Sequence, residues 1–256
     1  MSPRDDSRGY QLGYYRHSPG LHDLEARRAK ADKIVRCLAD EMETGPVGIA
    51  LDLGCSNGLV TEALEPLARV VAGLDIDRPA LYASPSLKLP KIALIHGDAM
   101  ALPFLSETVD LIVCAQVYEH VPDDVQLVRE MERVLKPGGI IFFSGPNRLF
   151  PIEPHYGLPL LHWLPRRAAD AWVRVTGKGT HYYERSRTTR GLRRLLYAFI
   201  IRDITPEAMR FEWTRREGLV ATILSRVPIW FWRLTAPLVP NVNWILVKPE
   251  APPTWD

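Results

Sequence analysis

Apolar residues along the chain follow two different periods. Between residues 21 and 43, Leu24, Ala31, Ile34, Val35 and Leu38 share one face of a helix, which the Gly-Pro-Val-Gly run at 45–48 ends. From there, short runs that are apolar at nearly every position alternate with amphipathic stretches. The runs at 49–54, 69–76, 91–98, 109–116 and 139–146 predict strands; the stretches at 57–66, from about Pro79, and at 122–135 predict helices. Strands lacking polar alternation are buried on both faces, so the pattern predicts an α/β chain with a parallel sheet covered on either side. After Pro146 the texture changes. Residues 147–190 are rich in Pro, His, Tyr, Trp and Arg, with a helix predicted at 166–176. The segments 196–205 and 241–249 read as two late strands around a helix that follows Thr205, suited to an antiparallel edge of the same sheet. One domain, 1–256, with a long insertion is expected.

The first strand runs into LDLGCSNGLV, residues 51–60. A glycine loop between a buried strand and a helix presents backbone amides at a helix N-terminus, which suits an anion. The dinucleotide form of this loop is G-x-G-x-x-G. Here the order is D-x-G-x-S-x-G: Asp52 closes the strand, and Gly54, Ser56 and Gly58 follow. A carboxylate at that point repels a pyrophosphate and favours a ligand carrying an amino group.

With these residues in view, the sequence resembles the class I S-adenosylmethionine-dependent methyltransferases, in the broad group that includes ubiquinone-biosynthesis and small-molecule enzymes. ALDLGCSNG is similar to their first motif, VVAGLDID to the second, HGDAMALPF to the adenine-flanking segment, VDLIVCAQVYEHVPD to the fourth-strand motif, and MERVLKPGGIIFFSGPN to the helix and strand beyond. The resemblance implies a Rossmann-like, doubly wound, mostly parallel seven-stranded sheet with an antiparallel edge and a lid insertion after strand five. It divides the chain into an N-terminal helical cap (1–45), a cofactor-binding core (46–146), a substrate lid (147–195) and C-terminal strands and helix (196–256). It also implies S-adenosyl-L-methionine as cofactor, held by Asp52, Gly54, Cys55, Ser56 and Gly58 of the loop, Asp75 and Ile76 at the ribose, Asp98 and Ala99 at the adenine, and Gln116 at the methionine part. Asp77 reads as the N-cap of the helix from Pro79.

Methyl transfer from a sulfonium needs the nucleophile, methyl and sulfur held in line and away from water. An oxygen acceptor also needs a base, for which histidine is suited. PNRLFPIEPHYGLPLLHWLP leaves strand five at the end where α/β sheets bind ligands. There Glu153, His155 and Tyr156 are expected to face the substrate as catalytic residues, and Leu158, Leu160, Leu161 and Trp163 to anchor the insertion. His120 is expected to be structural or to sit beside the cofactor. The pair Glu119–His120 is similar to a divalent-metal site of some relatives, E-x-x-E-H, but Gln116 stands in place of its first glutamate, so no metal is expected.

Charge modifies the picture of the partner. Residues 1–150 carry 16 basic and 21 acidic side chains, a net −5, whereas residues 151–256 carry 16 and 9, a net +7. With the arginine tract HYYERSRTTRGLRRLL, this favours a small-molecule, glycan or lipid-linked acceptor, anionic in character; an RNA or other nucleic-acid partner is disfavoured by the mild total charge of +2. A protein that binds the cofactor without turnover is the reading from another class. VPIWFWRLTAPLVP is expected to be core, with contact at a membrane surface as its alternative. Three cysteines without metal-type spacing, and an N-terminus without an apolar segment, lead to an expectation of a cytoplasmic protein with buried thiols.

Overall fold

The computed structural model describes residue 15 and residues 23–42, 45–85 and 89–250. In chain order, α1 (Leu24–Ala39) precedes β1 (Val47–Leu53), α2 (Leu59–Ala63), β2 (Ala68–Asp75), α3 (Arg78–Tyr82), β3 (Ile92–His96), β4 (Val109–Ala115), α4 (Asp124–Val134) and β5 (Leu135–Pro146). A hairpin of β6 (Ile152–Glu153) and β7 (Leu158–Pro159) follows, then α5 (Arg166–Val175), α6 (Thr189–Leu195) and β8 (Ile200–Asp203). The chain continues through α7 (Thr205–Thr214), α8 (Leu219–Ser225) and α9 (Ile229–Thr235) to β9 (Asn241–Val247).

The sheet has seven strands in the order β3-β2-β1-β4-β5-β9-β8. The first five are parallel, and β9 runs antiparallel between β5 and β8. The continuous apolar runs arise because both faces are covered. On one face Leu51, Leu53, Ile112, Cys114, Ile141 and Phe143 pack with Leu127 and Met131 of α4. Their neighbours Ala50, Leu111, Val113 and Phe142 face the other way, toward Ile34 and Leu38 of α1. Cys37, Cys55 and Cys114 are buried free thiols.

Several expectations are corrected. The described helix α1 spans less than 21–43, and residues 21, 22 and 43 lie outside the described set. Strand five begins at Leu135 rather than 139. The strand read at 196–205 shrinks to Ile200–Asp203, because Leu192, Leu195, Leu196 and Phe199 are drawn into the core as one apolar face of α6 and its end. In the insertion, Leu158 and Leu161 are buried with Ala169, Val173 and Tyr182 in a small cluster of their own, but Leu160 and Trp163 are about half exposed. Of VPIWFWRLTAPLVP, only Trp232 and Val239 are buried among the large side chains; Trp230, Phe231, Leu234 and Leu238 are exposed. Asp77 does occupy the N-cap position of α3, yet its Oδ2 accepts from the Tyr15 N–H instead of capping the helix.

Candidate functional site

A cavity of about 600 Å³ opens at the C-terminal ends of β1, β2 and β4. Its floor is the 54–58 loop. Gly54 adopts φ +66°, and a Cβ there would lie 2.9 Å from Val117 Cγ2. The Gly54 and Cys55 N–H groups both donate to the Leu74 carbonyl, at 2.8 and 3.2 Å, which pins the loop to β2. Ser56 also has positive φ, 52°, and its N–H donates to Asp75 Oδ2 at 2.6 Å. The other Asp75 oxygen accepts from Asp77 N at 2.7 Å. Asp75 therefore shapes the loop as well as facing the cavity. Burial raises its pKa against these bonds.

Asp52 lies deeper, 3% exposed, and accepts from Thr61 Oγ1 at 2.7 Å. Burial outweighs that bond and pushes its pKa up to about 7. Asp98 Oδ1 accepts from the Met100 N–H at 2.8 Å. Gln116, at φ 66°, donates from its backbone to Ser144 O and from Nε2 to Asn241 Oδ1 at 3.2 Å.

The structure brings together Asp52, Gly54, Cys55, Ser56, Asp75, Ile76, Asp98, Ala99 and Gln116 on this one cavity. Gly58 stands apart: it is the N-cap of α2 at φ 79° and does not line the space. Sequence reasoning missed Tyr15, Arg27 and Lys30, which also line the cavity, Arg27 donating to Asn57 Oδ1 of the loop itself. Arg27 and Lys30 precede Ile34 by seven and four residues, so they lie on the face of α1 that meets the core. That periodicity was the available signal. Lys30 donates to the Ala115 carbonyl at 3.2 Å, and burial lowers its pKa to about 8.

Of the three residues expected to face substrate, only His155 reaches the cavity, beside His120. Glu153 is fully buried behind it: Oε1 is 3.0 Å from His155 Nδ1, and Oε2 accepts from the Tyr156 N–H at 2.6 Å. Tyr156 turns away, donating to His181 O at 3.2 Å with its ring against Tyr182. On the inner side, His155 Nε2 is 3.7 Å from Glu119 Oε1, and the His120 ring meets that of His155 edge-on at 4.8 Å. Burial alone would lower the His155 pKa, but the Glu153 bond and the Glu119 charge outweigh it and raise the pKa to about 9. His120 goes the opposite way, well below 6.5, through burial and the neighbouring cation. Glu119 is raised to about 7 by burial, and neither of its carboxylate oxygens has a hydrogen-bond partner. One ligand atom each from Glu119, His120 and His155 lies within 4.8 Å of the others, close enough that the three could hold a divalent ion.

A second cavity, of roughly 520 Å³, shares the Val121–Pro122 wall with the first. Arg148, Arg166, Arg185 and Arg187 line it, against the carboxylates of Asp124 and Glu184. Arg187 is held by Asp124 through two nitrogens, and Arg185 donates to the Pro122 carbonyl at 3.0 Å.

Residues 51–143 match the family model described as a methyltransferase domain. An uncharacterized methyltransferase of Mycobacterium leprae is 37% identical over 135 residues, covering 52% of this chain and 50% of its own. A ubiquinone biosynthesis O-methyltransferase of Burkholderia ambifaria is 31% identical over 140 residues, with 53% and 56% covered. The chain thus spans about half the length of these curated relatives. Among solved structures, a geranyl diphosphate methyltransferase in complex with S-adenosylmethionine superposes with a TM-score of 0.55 at 18% identity, over 93% of this chain and 91% of that one. At that identity the likeness concerns the fold.

Proposed function

We propose that the chain is a class I S-adenosylmethionine-dependent methyltransferase, the reading its methyltransferase-domain match supports, and that it methylates an oxygen of a small-molecule, glycan or lipid-linked acceptor carrying negative charge. The observation that carries the reading is the placement of His155, from the insertion, beside the cavity formed by the loop motifs. The cavity fits the cofactor on its own chemistry. Asp52 and Asp75 suit an amino group and ribose hydroxyls, Arg27 and Lys30 suit a carboxylate, and about 600 Å³ is in the range of small-molecule sites. The same acidic loop opposes a pyrophosphate.

When bound, the cofactor supplies an electrophilic methyl group on a sulfonium. The protein's own part is to bind, orient and manage one proton. The insertion contributes Pro154 and His155 to the cavity lining, and its proposed part is to keep water from the reacting oxygen. His155 accepts the acceptor's proton at Nε2 when that nitrogen is unprotonated, and Glu153 fixes the ring through Nδ1. Glu119 then stabilises the imidazolium. Gln116 turns its amide to Asn241, so the reaction is proposed to use no metal. The arginine-lined second cavity supports an anionic acceptor, because guanidinium pairs well with phosphate and carboxylate.

The test is transfer of an isotope-labelled methyl group, read by mass spectrometry, to a panel of phenols, sugars and phosphorylated lipids. Label on an oxygen of an anionic acceptor is expected. Label on nitrogen, or only on RNA, would overturn the substrate reading.

A further inference from the structure

The segment that leads into β9 carries a surface the cavity does not use. Helices α8 and α9 are joined by three residues and both pack on α7, presenting Ala221 and Trp232 to the protein. Their other faces are apolar as well. On α8, Leu219, Val220 and Ile223 are 76%, 64% and 56% exposed. On α9, Trp230 and Leu234 are 63% and 72% exposed, and Leu238, one turn further, is 66% exposed. Seven of the 20 exposed large hydrophobic side chains among the described residues fall within 219–238, a concentration that single scattered apolar residues do not produce.

Within the two helices and the turn after them the charge has one sign. From Gly218 to Leu238 there is no acidic residue, while Arg226 and Arg233 punctuate the run; Arg215, Arg216 and Glu217 precede it. Arg226 and Arg216 are exposed; Arg233, also exposed, reaches Glu207 of α7 at 3.6 Å. Exposed Trp and Leu interleaved with Arg is the composition of a helix that lies in the headgroup region of a bilayer. Spanning is ruled out for the described helices, since none is long and apolar enough. Arg215 is paired with Asp32 and Arg233 with Glu207, so Arg216 and Arg226 carry the basic charge this face offers a partner, and anionic headgroups complement it. The chain runs from this face to the wall of the cavity. After Leu238, Pro240 O accepts from Asn147 N at 2.8 Å, and Asn241 Oδ1 accepts from the Gln116 side chain that lines the cavity.

We propose that α8, α9 and the turn through Leu238 form a docking face for an anionic phospholipid bilayer. The helices lie flat, with Leu219, Ile223, Trp230 and Leu234 in the apolar layer and the arginines at the phosphates.

The experiment is flotation of the full chain with two vesicle types, one of phosphatidylcholine alone and one of phosphatidylcholine and phosphatidylglycerol in equal parts. The protein is expected to float with the anionic vesicles and to remain largely behind with the neutral ones, with binding weakened by salt. A Leu219→Ser, Trp230→Ser, Leu234→Ser variant should bind anionic vesicles at least about tenfold more weakly, given the apolar area removed, with an unchanged circular dichroism spectrum. Wild-type protein that ignores both vesicle types overturns the proposal, as does a triple variant that floats like wild type. If wild type does not float but is a dimer in solution that the triple variant dissociates, the face is a self-association surface and the bilayer reading is wrong.

Discussion

Glu119 and His155 meet at 3.7 Å between Oε1 and Nε2 while Glu153 holds the opposite ring nitrogen at 3.0 Å, so one imidazole sits between two fully buried carboxylates. Few surroundings favour an imidazolium more strongly. The raised pKa of about 9 has a defined sign. Below about pH 6.5 the ring is protonated in both folded and unfolded chains, and its stabilising contribution is complete. That contribution disappears as pH rises through about 9.

A base that must first lose a proton imposes a pH profile. Turnover should climb about tenfold per pH unit below pH 9 and level off above it. Nuclear magnetic resonance of the imidazole should place the His155 titration near the same value, and Glu119→Gln should move it down. His155→Ala should lower turnover by roughly 10²–10⁴-fold with cofactor affinity nearly unchanged. A rate that is flat from neutral pH to 9 would transfer the role to His120, whose ring is already neutral there.

Asp52 predicts a second pH effect, on cofactor affinity rather than rate. Its pKa of about 7 leaves it partly protonated near neutrality, and an ammonium group placed beside it favours the ionised form. Affinity for S-adenosylmethionine should therefore rise as pH passes upward through 7. Calorimetry at a series of pH values checks this, and Asp52→Asn should flatten the curve. In the protein alone the sign is opposite: the raised pKa stabilises the fold while Asp52 is protonated, and that contribution is lost between about 4 and 7.

Replacing Asp75 removes two kinds of contact at once. Its oxygens accept from Ser56 N and Asp77 N, and the same carboxylate faces the proposed ribose position. Asp75→Ala should weaken cofactor binding about tenfold or more, on the order of 1.5–3 kcal/mol, and should lower the melting temperature because two N–H groups lose their acceptor. Unchanged melting with weakened binding would mean the loop keeps its shape without this anchor.

The Glu119–His120–His155 cluster invites a direct check on metal dependence. The expected result is turnover that survives exhaustive chelation. Activity lost on chelation and restored by magnesium or zinc would contradict the proton-transfer scheme.

Much of the core was legible because each element there is determined locally. Buried strands need apolar residues on both sides, and the loop at Gly54 needs a positive φ beside Val117, so pattern and chemistry coincide. What was misread depends on distant packing. Leu196 and Phe199 look like the start of a strand until they are seen to fill the core, with Leu192 and Leu195, from the end of a helix. Trp163 looks like an anchor, but its indole donates to Arg148 O at the surface at 2.6 Å. Glu153 and Tyr156 sit on either side of His155 in sequence, yet a two-residue strand points Glu153 inward and Tyr156 packs on Tyr182. Arg27 and Lys30 join the site only because α1 folds back over strands far along the chain.

The measurement that bears most directly on the central claim is calorimetric titration of the full chain with S-adenosylmethionine, and with NAD under the same conditions. The account predicts saturable binding of one S-adenosylmethionine per chain in the micromolar range, displaced by S-adenosylhomocysteine, and no heat from NAD. Absence of S-adenosylmethionine binding, or tight binding of NAD in its place, would contradict it.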